Sequence, residues 1–182
     1  MDVTVGRAGA DKTWWLIVVY HLPREPSRHR VAVWRKLKAL GALYLQDGVA
    51  TLPEDAVTRE QLEWLQLRIR EAGGEATLWE ALPNTVAEGK DLVAAFRRAR
   101  GEGYRTVIEG AERIRRKAEL GGGGASLLEE LAKNEREFRA ERRRDYFRSP
   151  LRAEAAEALR AARRILKEEA APADRKGAEE GG

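Results

Sequence analysis

The stretch Ala42-Leu-Tyr-Leu-Gln-Asp-Gly-Val-Ala-Thr-Leu-Pro53 decides the fold, because it predicts a β-hairpin in the middle of a helical sequence. Asp47-Gly48 is a pair that a two-residue type I′ turn prefers, since both turn positions need positive φ. That turn pairs Leu45 with Ala50 and Leu43 with Leu52. One face of the hairpin is therefore expected to carry Leu43, Leu45, Ala50 and Leu52.

A strand and a helix are predicted before this hairpin. Residues 14–20 are aromatic, β-branched and continuously apolar, which is typical of a central strand covered on both faces. Ser27 occupies the expected N-cap position of the helix, and Gly41 supplies its end. The apolar stripe expected to face the sheet consists of Val31, Trp34, Leu37 and Leu40.

A second helix and a last strand are predicted after the hairpin. Thr58, followed by Gln61 three residues later, predicts a capped helix that ends before Gly73. Its expected core side chains are Leu62, Leu65, Ile69 and Ala72, whereas Trp64 and Leu67 fall on the opposite side. Residues 75–82 then predict a strand. The resulting fold class is α+β, a ferredoxin-like βαββαβ domain with the first and third strands central.

The rest of the chain predicts helices around this domain. The expected organisation is a disordered lead-in at 1–12, the ferredoxin-like domain at 13–84, a helical extension at 90–169 and a disordered tail at 170–182. The first helix of the extension is either continuous or broken near Gly101-Glu102-Gly103, and the glycines at 121–124 predict a flexible joint. The second face of the sheet is too apolar for open water, so we expect these helices or a dimer partner to cover it.

Composition excludes several classes of function. The chain has no cysteine, which rules out disulfides, thiolate zinc sites and a cysteine nucleophile. Its longest apolar run is much shorter than the ~20 residues that span a bilayer, and no signal segment opens it. We therefore expect a cytoplasmic protein with no membrane partner.

Basic residues are concentrated on the first helix and on the loop before it. Residues 21–40 contain six basic residues and one acidic residue, a local charge of +5 against +4 for the whole chain. Such a charge run is commonly a solvated helix face, but its density favours contact with nucleic acid. The predicted DNA-binding residues are Arg24, Arg28, Arg35, Lys36 and Lys38.

The start of the same helix predicts an oxyanion site. A helix N-terminus offers unpaired N–H donors to an anion, and guanidinium groups match tetrahedral oxyanions. The predicted ligands are Ser27, Arg28 and Arg30, and chromate or sulfate would be suitable ligands. Arg30 is expected on the core side of the helix, where it either binds an anion or ties the helix to the sheet through a carboxylate.

Other chemical signals are weaker. Arg142, Arg143 and Arg144 form a secondary basic cluster whose acidic neighbours favour pairing within the helix, with phosphate contact as the alternative. Neither histidine has a partner at metal-ligand spacing, and no nucleophile elbow or phosphate-binding glycine loop is present. These features predict no metal site, no cofactor and no enzymatic activity.

The same residues carry a resemblance to a known family. The matching stretches are Trp15-Leu-Ile-Val-Val-Tyr-His-Leu-Pro23, Pro26-Ser-Arg-His-Arg30, Val33-Trp-Arg-Lys-Leu-Lys-Ala-Leu-Gly-Ala-Leu-Tyr-Leu-Gln-Asp-Gly-Val49, Leu62-Glu-Trp64, Ile69-Arg-Glu-Ala-Gly-Gly-Glu-Ala76 and Arg144-Asp-Tyr-Phe147. Together they resemble the N-terminal domain of the ChrB family of chromate-resistance regulators. More distantly, the strand, helix and hairpin block is similar to the central domain of PaaX-type repressors and to small CRISPR-associated ferredoxin-like endonucleases.

The resemblance implies a dimeric transcriptional regulator that binds the promoter DNA of a chromate-efflux operon and is relieved by chromate. Many ChrB proteins continue into a second domain. If that domain holds the inducer site or part of the DNA surface, this chain would lack one of the two activities. Two alternatives stay open. One is a protein-interaction or dimerisation module that uses Trp64, Leu67 and the second sheet face, and the other is a degenerate metal-dependent nuclease. The related nucleases carry a metal-binding aspartate at the end of the first strand, where this chain has Tyr20-His21-Leu22.

Overall fold

The computed structural model describes residues 13–121 and 124–170. The predicted lead-in, the tail beyond Ala170 and the middle of the predicted glycine joint lie outside these residues. The chain divides into two compact units, with the division between Phe96 and Arg97.

The first unit is an α+β structure built on a four-stranded antiparallel sheet. Its elements are β1 (Trp15–His21), α1 (Ser27–Leu40), β2 (Leu43–Gln46), β3 (Val49–Pro53), α2 (Ala56–Glu71), β4 (Glu75–Ala81) and the start of α3 (Val86–Glu119). The strands lie in the order β2-β3-β1-β4. The prediction that the first and third strands are central is therefore confirmed.

The main core lies between the sheet and α1 and α2. Leu16 pairs with Leu52, and Val18 pairs with Ala50, so these fully buried side chains share one sheet face. The helices cover it with Leu37, Leu62, Leu65 and Ile69, each at most 2% exposed. Since burying one such side chain stabilises a fold by about 1.5–3 kcal/mol, this layer fixes where α1 lies on the sheet.

The register of the hairpin differs from the prediction by one residue. Gln46 pairs with Val49 at the turn as predicted, but the pairing shifts between Tyr44 and Gln46, so that Leu43 lies opposite Thr51. In the turn only Gly48 has positive φ, whereas a type I′ turn needs two such residues. The irregularity leaves Leu45 as an extra residue, and Tyr44, rather than Leu45, lies beside Ala50.

Helix α1 is rotated relative to the predicted stripe. Its buried residues are Val33 and Leu37, whereas Val31 and Trp34 are 43% and 48% exposed. At about 100° per residue, the centre of the observed buried face lies about 50° from the centre of the predicted stripe. Only Leu37 belongs to both faces, and the sequence pattern alone did not distinguish them.

The start of α2 also differs from the prediction. Asp55, not Thr58, is the N-cap, and its Oδ1 accepts hydrogen bonds from the backbone N–H groups of Val57 and Thr58, both at 2.8 Å. The Thr58 hydroxyl in turn accepts from the Asp55 N–H at 3.0 Å. The predicted core residues Leu62, Leu65 and Ile69 are buried, and Trp64 and Leu67 are exposed, as predicted.

The second sheet face is partly covered within the first unit. Trp15 is 2% exposed and packs against Phe96 of α3, with their ring centroids 5.4 Å apart. A cavity of about 380 Å³ separates α3 from Ile17. Val19 and Trp79 remain 40% and 59% exposed.

The second unit packs three helices, namely α3 from Arg97 onward, α4 (Ala125–Arg143) and α5 (Leu151–Ala170). Its core includes Tyr104, Ile114, Leu131 and Leu159. Helix α3 is continuous, so the alternative of a break near Gly101 is wrong. A Cβ at Gly103 would lie 2.3–2.7 Å from the Glu141 carboxylate, and this glycine therefore permits close packing of α3 on α4.

Candidate nucleic-acid interface

The six predicted cations of the first unit lie on the surface. Arg24 is in the loop after β1, and the other five are on α1; all six are exposed. Val33 and Leu37 hold the face of α1 opposite Arg28 and Arg35 in the core. The packing of this helix therefore directs its basic residues toward solvent.

Arg28 and Arg35 share one face of α1. They are seven residues apart, which is close to two helical turns and about 10.5 Å along the axis. Their helical angle is far from that of Val33 and Leu37. This face therefore carries two exposed guanidinium groups, each of which could bind an anion.

The arginines of this region are not neutralised by the chain itself. Within residues 13–121 and 124–170, Arg24, Arg28, Arg30 and Arg35 form no ion pair with a carboxylate. By contrast, Arg59 on α2 pairs with both Glu54 and Glu80. The hydrogen bond that Arg59 donates to Glu54 is the main cause that raises the pKa of Arg59.

The two lysines of α1 have contacts within the first unit. The Lys36 ammonium donates a hydrogen bond to Gln61 Oε1 at 2.5 Å, and the Lys38 ammonium lies 4.8 Å from the centre of the Trp34 ring. Trp34 is therefore a partner of a lysine on the surface, not the core residue that the sequence predicted.

Four arginines carry the unpaired charge of this surface, and we call Arg24, Arg28, Arg30 and Arg35 the α1 arginines.

The three predicted oxyanion ligands do not converge in this structure. Ser27 is the first residue of α1, Pro26 is the N-cap, and no side chain caps the helix. Arg30 is exposed, so its predicted position on the core side is wrong. By helical angle it is close to Leu37, but it lies in the first turn of α1, before Val33, the first buried residue of the helix. By helical angle Ser27 and Arg30 lie on one side of the helix, whereas Arg28 lies about 100° from Ser27.

A groove between α1 and α2 was not predicted. It has a volume of about 610 Å³, and its lining includes His29, Lys36, Trp64, Arg68 and Glu71. Trp64 is 60% exposed, so an aromatic surface and several charged groups meet there. The sequence indicated an apolar pair, Trp64 and Leu67, on the side of α2 away from the sheet. It did not indicate a groove, because the residues of α1 that face Trp64 depend on how α1 is rotated.

The predicted secondary basic cluster is divided between two environments. Arg144 pairs with the buried Glu141, its neighbour three residues earlier, which confirms pairing within this segment. Arg100 of α3 also binds Glu141 at 3.0 Å, and burial lowers the pKa of Arg100. Arg142 and Arg143 are exposed.

A second buried polar contact holds the segment after α4. The Tyr104 hydroxyl donates to Asp145 Oδ2 at 3.1 Å, and burial is the main cause that raises the pKa of this tyrosine. The Asp145 carboxylate also accepts from the Ser149 N–H at 2.9 and 3.1 Å. These groups fix the turn that leads into α5 and serve a structural role.

Metal ligands do not gather in the part of the chain that the structure describes. No group of three or more histidine or carboxylate side chains there has an arrangement that could hold a metal ion. No helix among residues 13–121 and 124–170 is both long enough and apolar enough to cross a membrane.

Comparison with known proteins identifies one family. The family model described as "Protein ChrB, N-terminal" matches residues 30–173. Protein ChrB of Cupriavidus metallidurans is 43% identical over 54 residues, a stretch that covers 30% of this chain and 17% of that protein. No solved structure matches the chain.

Proposed function

The chain belongs to the ChrB N-terminal family, and from that premise we propose that it is a DNA-binding transcriptional regulator of chromate resistance. In this proposal the protein binds as a homodimer in the cytoplasm, responds to the chromate oxyanion and catalyses no reaction. The fold assigned to its first unit is ferredoxin-like, which the βαββαβ order and the central β1 and β3 support.

The α1 arginines carry this proposal. They are exposed, and they have no carboxylate partner within residues 13–121 and 124–170. Neutralisation of phosphates by such groups releases bound counterions and is the main sequence-independent contribution to DNA affinity. Arginine forks also bind phosphate oxygens in pairs, which fixes the orientation of the protein on the duplex.

The second half of the proposal is a response to chromate. Chromate is a tetrahedral dianion, and Ser27, Arg28 and Arg30 lie within one turn of the start of α1. For a single anion to reach all three, the arginine side chains must bend around the helix. Chromate and DNA phosphates would then compete for the same guanidinium groups, which gives a direct physical reason for release of the DNA.

A gel-shift titration with the DNA upstream of the chain's own gene tests DNA binding. If each of the four α1 arginines contacts one phosphate, log K should fall with log salt with a slope of about −3.6 per protomer. Between 50 and 200 mM salt the affinity should then fall about 10²-fold for each protomer that contacts the DNA, or about 10⁴-fold for the homodimer. Absence of binding even at the lower salt would refute the DNA-binding proposal.

Chromate is added in a second arm of this experiment, at constant ionic strength. A regulator that senses chromate on this chain should release its DNA at chromate concentrations where chloride of equal ionic strength has no effect. If chromate acts only as chloride does, the DNA-binding half stands and the sensing half is wrong for this chain.

An interaction module is the second candidate function. Exposed Trp64 lines the groove between α1 and α2, and exposed Val19 and Trp79 leave part of the second sheet face uncovered. Large exposed apolar groups in proximity are typical of protein interfaces. Light scattering on Trp79→Ser tests the dimer: loss of a dimer found in the unmodified chain would place the interface on this face, and an unchanged dimer would exclude it.

A degenerate metal-dependent nuclease is the third candidate, and the resemblance alone suggests it. Cleavage of DNA or RNA at catalytic rates in the presence of magnesium or manganese would support it over the binding proposal.

A further inference from the structure

A groove between α4 and α5 in the second unit is lined by six arginines and one glutamate, a net charge of +5 that equals that of α1. It has a volume of about 770 Å³, and both helices and the turn between them line it. Its basic residues are Arg139, Arg142, Arg148, Arg152, Arg160 and Arg163. Glu135 is the one acidic residue among those that line it.

The Glu135 carboxylate is already paired with arginines of the groove. Arg163 forms an ion pair with Glu135, and Arg139 lies 3.9 Å from the same carboxylate. The other four arginines form no ion pair within residues 13–121 and 124–170. We call Arg142, Arg148, Arg152 and Arg160 the groove arginines. Like charges in one groove repel each other, so an anion in the groove would relieve that repulsion.

The backbone conformation of Arg148 also suggests that an anion binds in the groove. Arg148 is the one non-glycine residue with positive φ in the part of the chain that the structure describes, at 50°. Residues with a Cβ adopt this conformation much less readily than glycine does. The Asp145 carboxylate holds the turn through the Ser149 N–H. An arginine at a position that favours glycine indicates that its side chain is used.

The shape of the groove favours an extended anion over a single small one. From Arg152 to Arg163 the arginines of α5 extend over about 16 Å, at 1.5 Å per residue. About five phosphates of one strand occupy that length of a DNA duplex axis. Ala153 and Ala156 line the same groove, and their small side chains leave room for a backbone to approach.

We propose that the groove between α4 and α5 binds the phosphate backbone of DNA as a second contact surface, independent of α1. All its cations are arginines, whose planar forks bind phosphate oxygens in pairs. The inference rests on the proposed DNA-binding function and adds to it a surface in the second unit.

The test is fluorescence anisotropy on labelled upstream DNA with the variant that combines Arg152→Gln and Arg160→Gln in the full chain. The matched control combines Arg105→Gln and Arg116→Gln, which removes the same charge from exposed positions on α3 that do not line the groove. Loss of two phosphate contacts should reduce the slope of log K against log salt by about 1.8 relative to the control. Circular dichroism checks that both variants fold.

The outcomes separate this inference from the proposed function. If the unmodified chain binds no DNA, both are wrong. If the unmodified chain binds DNA and the groove variant has the slope of the control, the groove inference is wrong and the contact of α1 with DNA stands. A smaller slope for the groove variant alone supports the inference.

Two further arms identify the anion. Calorimetric titration with sodium sulfate should show no saturable binding; saturable binding that the groove variant lacks would make the groove a site for a small oxyanion and overturn the proposal. Polyglutamate of similar length serves as a polypeptide competitor. If the groove variant loses affinity for polyglutamate but keeps its affinity for DNA, the groove binds an acidic protein segment and the proposal is wrong.

Discussion

Replacement of Gly103 by alanine should destabilise the second unit, although alanine is the better helix former. The new Cβ would lie 2.3–2.7 Å from the carboxylate of Glu141, closer than side-chain carbons approach other atoms. Glu141 is only 8% exposed and cannot move into solvent without leaving Arg100. The substitution therefore disrupts a buried ion pair.

The magnitude follows from two opposing effects. Disruption of a buried ion pair costs about 3–5 kcal/mol. Alanine in place of glycine in a helix interior returns about 1 kcal/mol. The expected net loss in the free energy of unfolding is about 2–4 kcal/mol. In a chain of this size a loss of about 3 kcal/mol lowers the melting temperature by roughly 6–12 °C.

Gly101→Ala is the matched control, because Gly101 lies one half-turn earlier on the same helix. A Cβ there would meet Leu151 at 3.7 Å, an ordinary van der Waals contact. Gly101→Ala should therefore be neutral or stabilise the chain by up to about 1 kcal/mol. The assay is thermal unfolding followed by ellipticity at 222 nm. If Gly103→Ala melts at or above the temperature of Gly101→Ala, the close packing of α3 on Glu141 is wrong.

Three other predictions concern single side chains. Asp55→Ala should lower the free energy of unfolding by about 0.5–2 kcal/mol, because it removes the cap of α2, whereas Ser27→Ala should change it by less than about 0.5 kcal/mol; urea unfolding measures both. Trp64→Ala should leave DNA affinity unchanged in anisotropy measurements, and a large loss would move the DNA contact to the groove between α1 and α2. The hydrogen bond that Lys117 donates to Glu130 lowers the pKa of Glu130, so this pair stabilises the fold above the ordinary glutamate pKa and its contribution is lost as the pH falls. The difference in urea midpoint between the unmodified chain and Glu130→Gln should therefore shrink between about pH 6 and pH 3. A difference that stays constant over this range would contradict the prediction.

The sequence predicted those parts of the fold that depend on local chemistry. The order of the first six elements and the central positions of β1 and β3 follow from apolar runs and turn residues. The core side of α2 followed from its apolar period because Leu62, Leu65 and Ile69 allow one orientation only. The position of the hairpin turn was also predicted, because Asp47-Gly48 is the strongest turn signal in that stretch of sequence.

Features that depend on tertiary packing were not predicted. Val31 and Trp34 of α1 are as apolar as Val33, and the sheet, not the helix, selects which of them is buried. The extra residue at Leu45 follows a turn with one positive φ, which the pair Asp47-Gly48 does not specify by itself. A glycine inside a helical pattern suggests a break, and Gly103 is such a glycine. The actual reason for this glycine, close packing against the Glu141 carboxylate, could not be inferred because Glu141 is distant in the sequence.

In the candidate sites, too, features set by local sequence were predicted and features set by tertiary packing were not. That α1 would be basic was evident from composition, and its exposure follows from Val33 and Leu37 on the opposite face. Arg142 belongs to the predicted secondary basic cluster, but Arg152 and Arg160 lie on α5, so the sequence did not group them with it. Only the packing of α4 on α5 places Arg142 beside Arg152 and Arg160.

The salt dependence of DNA binding by the variant that combines Arg28→Ala and Arg35→Ala tests the role of α1 most directly. The control combines Arg105→Ala and Arg116→Ala, exposed arginines of α3 outside the basic helix. The slope of log K against log salt should be about 1.8 smaller for the α1 variant than for this control, because two phosphate contacts are lost. Equal slopes for the two variants, with both folded and both binding the DNA, would show that the α1 arginines do not contact phosphate.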